Sequence, residues 1–180
     1  MTFNPDLHHR RSMRLRGYDY TEARAYLVTI CTFERQCLFG EIINGEVNLN
    51  QNGETVCGCW NAMNAHFPYL SLDSFIVMPN HIHGIIWIVD SEWARHASPL
   101  HEQPRGPKSK SVGAIVGSFK SAVTKRINQT REKHGIPVWQ RNYYEHIIRD
   151  DDDMNRIRGY IEGNPARWAE DEENPTRIKL

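Results

Sequence analysis

Residues 75–89 read FIVMPNHIHGIIWIV, two runs rich in β-branched and aromatic residues interrupted by Pro79 and Asn80. Such runs favour strands, and a proline cannot donate to a sheet ladder, so the stretch predicts two antiparallel strands with a turn between them. His81 and His83 open the second strand. Alternate residues of a strand point the same way, which places both imidazoles on one face, roughly 7 Å apart along the chain. The pair can hold a metal, or it can be two hydrogen-bonded histidines at a strand start. The rest of the chain has to separate these readings.

Upstream, 25–33 (AYLVTICTF) reads as a strand, and 37–50 as a further β segment turning at Asn44 and Gly45, a pairing favoured in tight hairpins. The period then changes. Val56, Trp60, Met63 and Phe67 recur at helical spacing over 52–66, ended by Pro68. After the histidine strand, 90–110 is rich in proline and glycine and reads as a loop. A second helix follows over 112–129, with Val112, Ile115, Val116, Phe119, Val123 and Ile127 on one side. The segment 138–149 reads as a last strand or extended segment. A last helix begins near Asp151, where acids suit the positive end of the dipole, and ends at Gly163 or Asn164 before Pro165. The order β-β-α-β-β-α-β-α predicts an α+β, ferredoxin-like sandwich, an antiparallel sheet with helices packed on one face.

The chain has 180 residues, 39% hydrophobic and 24% charged, the balance of a soluble domain with one core. No apolar run approaches the ~18 residues that span a bilayer, and the basic N-terminus lacks the apolar core of a secretory signal. A cytoplasmic protein without membrane attachment is the expectation. Cys31, Cys37, Cys57 and Cys59 form no C-x-x-C pair, which points to reduced structural thiols. The formal net charge is zero, yet the charge is segregated. Arg10, Arg11, Arg14 and Arg16 make a basic arm, while Lys120, Lys125 and Arg126 belong to a positive middle section. The compensating acids gather at 150–153 and 170–173. Local positive surface of this kind suits a phosphate backbone. The expected layout is a basic arm at 1–24, a catalytic or binding domain at 25–169 and an acidic tail at 170–180.

The last helix supplies the second half of a site. Tyr160 and Asn164 are four apart, so a phenol and a carboxamide lie on one helical face. Two imidazoles and one amide oxygen leave coordination positions open on a divalent ion, which can polarise a phosphate. Tyr160 is then placed to attack it. Tyr160 as a core aromatic is the competing reading of that residue alone.

The strand VMPNHIHGIIWIV, followed downstream by WQRNYYEHIIR and then by Y-x-x-x-N-P-x-x-W from Tyr160 to Trp168, resembles the single-tyrosine HUH transposases. Among them it is most similar to the REP-associated tyrosine transposases. The resemblance implies a nuclease domain that cleaves single-stranded DNA, forms a 5′-phosphotyrosine and frees a 3′-hydroxyl. By motif position it makes His81 and His83 metal ligands, Tyr160 the nucleophile and Asn164 the third, amide-bearing ligand, where insertion-sequence relatives often carry glutamine. It implies Mg²⁺ or Mn²⁺ as cofactor and a DNA hairpin, such as a REP-like element, as partner. It leaves monomer and homodimer both open. Glu145 and His146 match a recurrent element of the family, as an accessory pair. Tyr143 and Tyr144 compete with Tyr160 for the nucleophile's role. Two other functions fit the same residues: a non-catalytic single-stranded nucleic-acid binding module, and a metal-dependent hydrolase that activates water.

Overall fold

The computed structural model describes residue 19 and residues 21–89 and 110–176. In chain order the strands are β1 (Ala25–Cys31), β2 (Gly40–Ile43), β3 (Glu46–Leu49), β4 (Leu70–Val77), β5 (His81–Ile88) and β6 (Tyr144–Ile147). The helices are α1 (Gln51–Asn61), α2 (Met63–His66), α3 (Val112–Thr130) and α4 (Asp151–Glu162). Four strands form one antiparallel sheet in the order β4-β5-β1-β6, while β2 and β3 make a separate hairpin. The hairpin turns at Asn44 (φ 53°) and Gly45 (φ 80°), the left-handed pair that matches strand twist. Setting aside this hairpin, the short α2 and the terminal α4 leaves β1-α1-β4-β5-α3-β6, the order of the ferredoxin-like fold expected from the sequence.

One face of the sheet presents Tyr26, Val28, Ile30, Ile82 and Ile86 to α1, α2 and α3, which bury Val56, Trp60, Met63, Ile115, Phe119 and Val123 against them. Trp60 is the keystone of this layer, stacked on Phe75 at 4.3 Å and meeting Phe119 edge-on at 5.6 Å. Its ring lies where a side chain at position 84 would be: a Cβ on Gly84 would come within 2.3 Å of it. Glycine is therefore a packing requirement in the middle of β5. Each main helix starts on a side-chain cap, Asn50 for α1, Ser111 for α3 and Asp150 for α4.

The layer of helices on one face, as expected, comprises α1 to α3. The terminal helix α4 adds to it by covering the opposite face, where Met154, Ile157 and Ile161 pack on Ala25, Leu27, Ile85 and Ile148. The reason is visible in β5, which is apolar at nearly every position: a strand buried on both sides needs a cover on both sides. An ion pair fixes the rotation of α4. Arg158 grips Asp73 with Nε at 2.9 Å and Nη2 at 2.6 Å, and Trp87 Nε1 donates to the same carboxylate. Asp73 sits where the β4–β5 register shifts between Leu72 and Phe75, a β-irregularity that re-aims a side chain. The guanidinium holds its carboxyl well below the usual range.

Among the described residues no helix is long and apolar enough to cross a membrane. The four cysteines are free thiols. Of the expected basic arm, residues 1–18 and 20 lie outside the described residues, as do 90–109 and 177–180.

Candidate active site

The site starts from the turn that delivers β5. Asn80 is fully buried there, and its amide nitrogen donates to the carbonyls of Arg35 (3.0 Å) and Glu173 (2.6 Å). With its nitrogen so committed, its oxygen is the acceptor for Nδ1–H of His81 at 2.9 Å. This sets the tautomer of His81 and leaves Nε2 with a lone pair. His83 Nδ1 lies 2.8 Å from the Thr29 hydroxyl of β1, directly across the ladder. The two Nε2 atoms face each other at 3.0 Å.

Burial dominates the titration of both rings. It lowers His81 to about 4, helped by Arg35, and His83 to about 3, helped by His81 and opposed by Asp171. Near neutrality the pair is therefore uncharged and offers lone pairs to one point. A proton on one nitrogen can be shared between them, or a cation can bind both. The spacing suits a cation: two nitrogens bound at ~2.1 Å and at a right angle are about 3.0 Å apart.

A carboxylate completes the cluster. Asp171 Oδ2 is 3.8 Å from His81 Nε2, and His81, His83 and Asp171 offer ligand atoms that all lie within 4.8 Å of one another. The chain reaches this point by folding back. After α4, a 3-10 turn over Pro165–Glu170 reverses direction, and Arg35 holds the returning segment through the Glu172 carbonyl (3.1 Å) and the Glu173 carboxylate (2.9 Å). Asn174 then bonds Trp168 and Thr176. Glu170 to Glu173, the start of the expected acidic tail, thus form a wall of the site.

Ile157 and Ile161 anchor α4 to the sheet, and Tyr160 between them reaches the histidines. Its phenol oxygen is 3.3 Å from His83 Nε2, with the rings 5.0 Å apart and tilted by 66°. Burial and the charge of Asp171 raise the phenol above its ordinary range, against opposing effects of Asn164 and Arg167. Arg167 lies with its guanidinium carbon 5.8 Å from the centre of the Tyr160 ring. Asn164, just past the end of α4, is buried, and its side-chain oxygen has no hydrogen-bond partner among the described residues. An orphaned buried oxygen is costly, and a cation or a donating ligand would satisfy it.

Tyr160, His83, Asn164 and Asp171 line one cavity of about 970 Å³, which Tyr144, His146, Arg156 and Arg167 also line. Four of the expected residues, His81, His83, Tyr160 and Asn164, are therefore gathered at one place. The expected accessory pair is divided, because neighbours on a strand face opposite ways. His146 points into the cavity, where its Nε2 lies 2.8 Å from Asp153. Glu145 pairs in register with Val28, whose side chain belongs to the helical layer, and accepts from the Tyr143 hydroxyl at 2.9 Å.

The basic residues fall elsewhere. Lys120, Lys125 and Arg126 are on α3, across the sheet from the cavity. Lys120 is half-buried, which lowers its pKa, and it donates to the carbonyls of Gln140 and Arg141. Its ammonium thus ties α3 to the chain leading into β6. Arg10, Arg11, Arg14 and Arg16 lie outside the described residues. Sequence reasoning missed Asp171 and Arg167. The signal for the first was Asn174-Pro175, a turn pair just after the acids that argues against a free tail.

The fold and the site define a class: a ferredoxin-like sandwich whose central strand presents a histidine–hydrophobic–histidine pair to a tyrosine on a following helix. No family model matches the chain. It belongs to one family with an uncharacterized protein of Haemophilus influenzae, with which it is 41% identical over 174 residues, 94% of this chain and 96% of that protein. It also resembles the REP-associated tyrosine transposases. A second protein of Haemophilus influenzae, named "Putative REP-associated tyrosine transposase", is 27% identical over 105 residues, covering 57% of this chain and 52% of its own length. The solved structure of a REP-associated tyrosine transposase bound to a REP hairpin shares the fold, with a TM-score of 0.52 at 17% identity over 86% of this chain and 74% of the other.

Proposed function

We propose that the protein is a transposase-type endonuclease and strand transferase acting on single-stranded DNA, with Tyr160 as nucleophile. The observation that carries the proposal is the approach of the Tyr160 phenol to His83 Nε2 at 3.3 Å, beside a second imidazole at 3.0 Å. A tyrosine kept only for packing has no reason to meet a neutral imidazole in an open cavity. The likeness to transposases in sequence and fold supports the same reading.

In this reading Tyr160 attacks the scissile phosphate, its oxygen bonds to phosphorus and the 3′ oxygen departs. The covalent phosphotyrosine keeps the bond energy, so a different 3′-hydroxyl can reverse the step without a nucleotide cofactor. His81 and His83, with Asp171 or Asn164, would hold a divalent ion, Mg²⁺ or Mn²⁺, which when bound neutralises phosphate charge and favours the phenolate. Arg167, beside the phenol, acts in the same direction. Without the ion, His83 Nε2 is the hydrogen-bond partner of the phenol and orients it; with the ion held there, the phenol would lie beside the ion instead. Arg156 and Tyr144 on the cavity wall offer a phosphate contact and a stacking surface for a base, the latter worth roughly 1–3 kcal/mol. The DNA partner in this reading carries a hairpin beside the cleaved single strand.

The test is a denaturing gel of the protein incubated with hairpin oligonucleotides bearing single-stranded flanks, with Mg²⁺, Mn²⁺ or EDTA. The expected result is a cation-dependent band of protein joined to DNA. Cleavage without such a band would support a hydrolase instead, and retention without cleavage a binding module.

A further inference from the structure

Breaking a phosphodiester at its 3′ oxygen leaves an alkoxide that needs a proton, and rejoining needs that proton removed. Positioned acids and bases typically supply ~10²–10⁴-fold to such steps. The buried pair is not free for this work. His81 and His83 give their Nδ1 atoms to Asn80 and Thr29 and turn both Nε2 atoms toward each other.

A third imidazole faces the same cavity. On β6, Tyr144 lies opposite Thr29 and His146 opposite Leu27, so His146 shares the sheet face of His83, two strands away. Strand spacing and rise put the two backbones on the order of 12 Å apart. Both side chains line the same cavity of about 970 Å³, which has room for one phosphodiester. The ring of His146 is held, not loose: Nε2 is 2.8 Å from Asp153 Oδ2 in the first turn of α4, and Nδ1 has no partner among the described residues. Burial raises the carboxyl of Asp153, but hydrogen bonds from His146 and Arg156 outweigh it and keep it below its ordinary range. It is thus an ionised partner for the imidazole, as in dyads where a carboxylate fixes ring orientation. Imidazole is the side chain that exchanges protons near neutral pH.

We infer that His146 donates the proton to the departing 3′ oxygen and takes it back from the attacking 3′-hydroxyl, with Asp153 as its positioning residue. This rests on Tyr160 being the nucleophile. In cleavage the phenol loses its proton to solvent, the tyrosine oxygen bonds to phosphorus, and the bond from phosphorus to the 3′ oxygen breaks. The Nδ1 proton of the imidazolium passes to that oxygen and leaves a neutral ring. In rejoining, Nδ1 accepts the proton of the 3′-hydroxyl as its oxygen bonds to phosphorus. The bond to Tyr160 then breaks, and the phenolate is reprotonated from solvent.

The test uses a hairpin oligonucleotide on which the wild-type protein forms its adduct, made with either oxygen or sulfur at the bridging 3′ position. Sulfur departs as a thiolate and needs no proton. His146→Gln is expected to slow adduct formation ~10²-fold or more on the oxygen substrate, and to return within about tenfold of wild type on the sulfur substrate. Asp153→Asn, which keeps His146 and the shape of the contact, should show a smaller loss with the same rescue, so a folding defect in the first variant leaves the test standing. Equal losses on both substrates would overturn the inference and assign the dyad to tying β6 to α4; no loss on either would overturn it as well. A wild-type protein that forms no adduct on any hairpin would overturn the Tyr160 reading itself.

Discussion

The phenol oxygen of Tyr160 lies 3.3 Å from Nε2 of His83 although 77 residues separate them in the chain. That meeting depends on three things: β5 aiming both histidines to one face, α4 crossing that face, and the Asp73–Arg158 ion pair fixing the rotation of α4.

Metal affinity should be shared unequally. His83→Ala is expected to abolish Mn²⁺ binding measured by titration calorimetry, and Asp171→Asn to weaken it by at least the roughly 10–100-fold lost with a group that only orients a ligand. If Asn164→Ala weakened binding while Asp171→Asn did not, the ligand from the returning segment would be wrong and the one on the helix face right.

Stability should fall with acid before the carboxylates titrate. The folded values of about 4 for His81 and about 3 for His83 are below the ordinary value of 6.5. Between those limits the unfolded chain binds protons that the folded one does not, so stability is present above pH 6.5 and declines as pH falls toward 4. Melting curves in EDTA at pH 7 and pH 5 should show a lower midpoint at pH 5. The double variant His81→Gln, His83→Gln should lose most of that difference.

Gly84→Ala should destabilise the fold, because the added methyl meets the Trp60 ring. Overpacking of this sort costs about 1–3 kcal/mol, readable as a lower denaturation midpoint with an unchanged slope. An unaltered midpoint would show that Trp60 can move aside.

Arg167→Ala should slow adduct formation about tenfold and shift its pH–rate profile upward, since the guanidinium favours the phenolate and each tenfold is ~1.4 kcal/mol of transition-state stabilisation. A loss with no shift in the profile would assign Arg167 to capping α4 through its contacts with the Tyr160 and Gly163 carbonyls.

Much of this was legible in the sequence because it is periodic. The alternation around His81 and His83 and the four-residue spacing of Tyr160 and Asn164 each place two side chains on one face, and the hairpin and sandwich follow from local signals. What escaped has a common physical cause. Asp171 joins the histidines only through a reversal of the chain held by Arg35 and Asn80; the Asn174-Pro175 turn signals a bend there, but not where the bend delivers the carboxylate. The division of Glu145 from His146 follows from strand alternation once β6 is known to be a strand, but the choice of which residue faces the cavity needs the register with β1. The cover of α4 on the second face was implicit in β5, whose unbroken apolar run calls for burial on both sides.

The most direct measurement is to trap the protein on a hairpin oligonucleotide with Mn²⁺, digest it with trypsin and locate the nucleotide by mass spectrometry. Cleavage at arginines separates the candidates, since Tyr160 falls in the peptide 159–167 and Tyr143 and Tyr144 in 142–149. The account predicts the added mass on 159–167 and its loss in Tyr160→Phe. Added mass on 142–149, or an adduct that survives Tyr160→Phe, would contradict it.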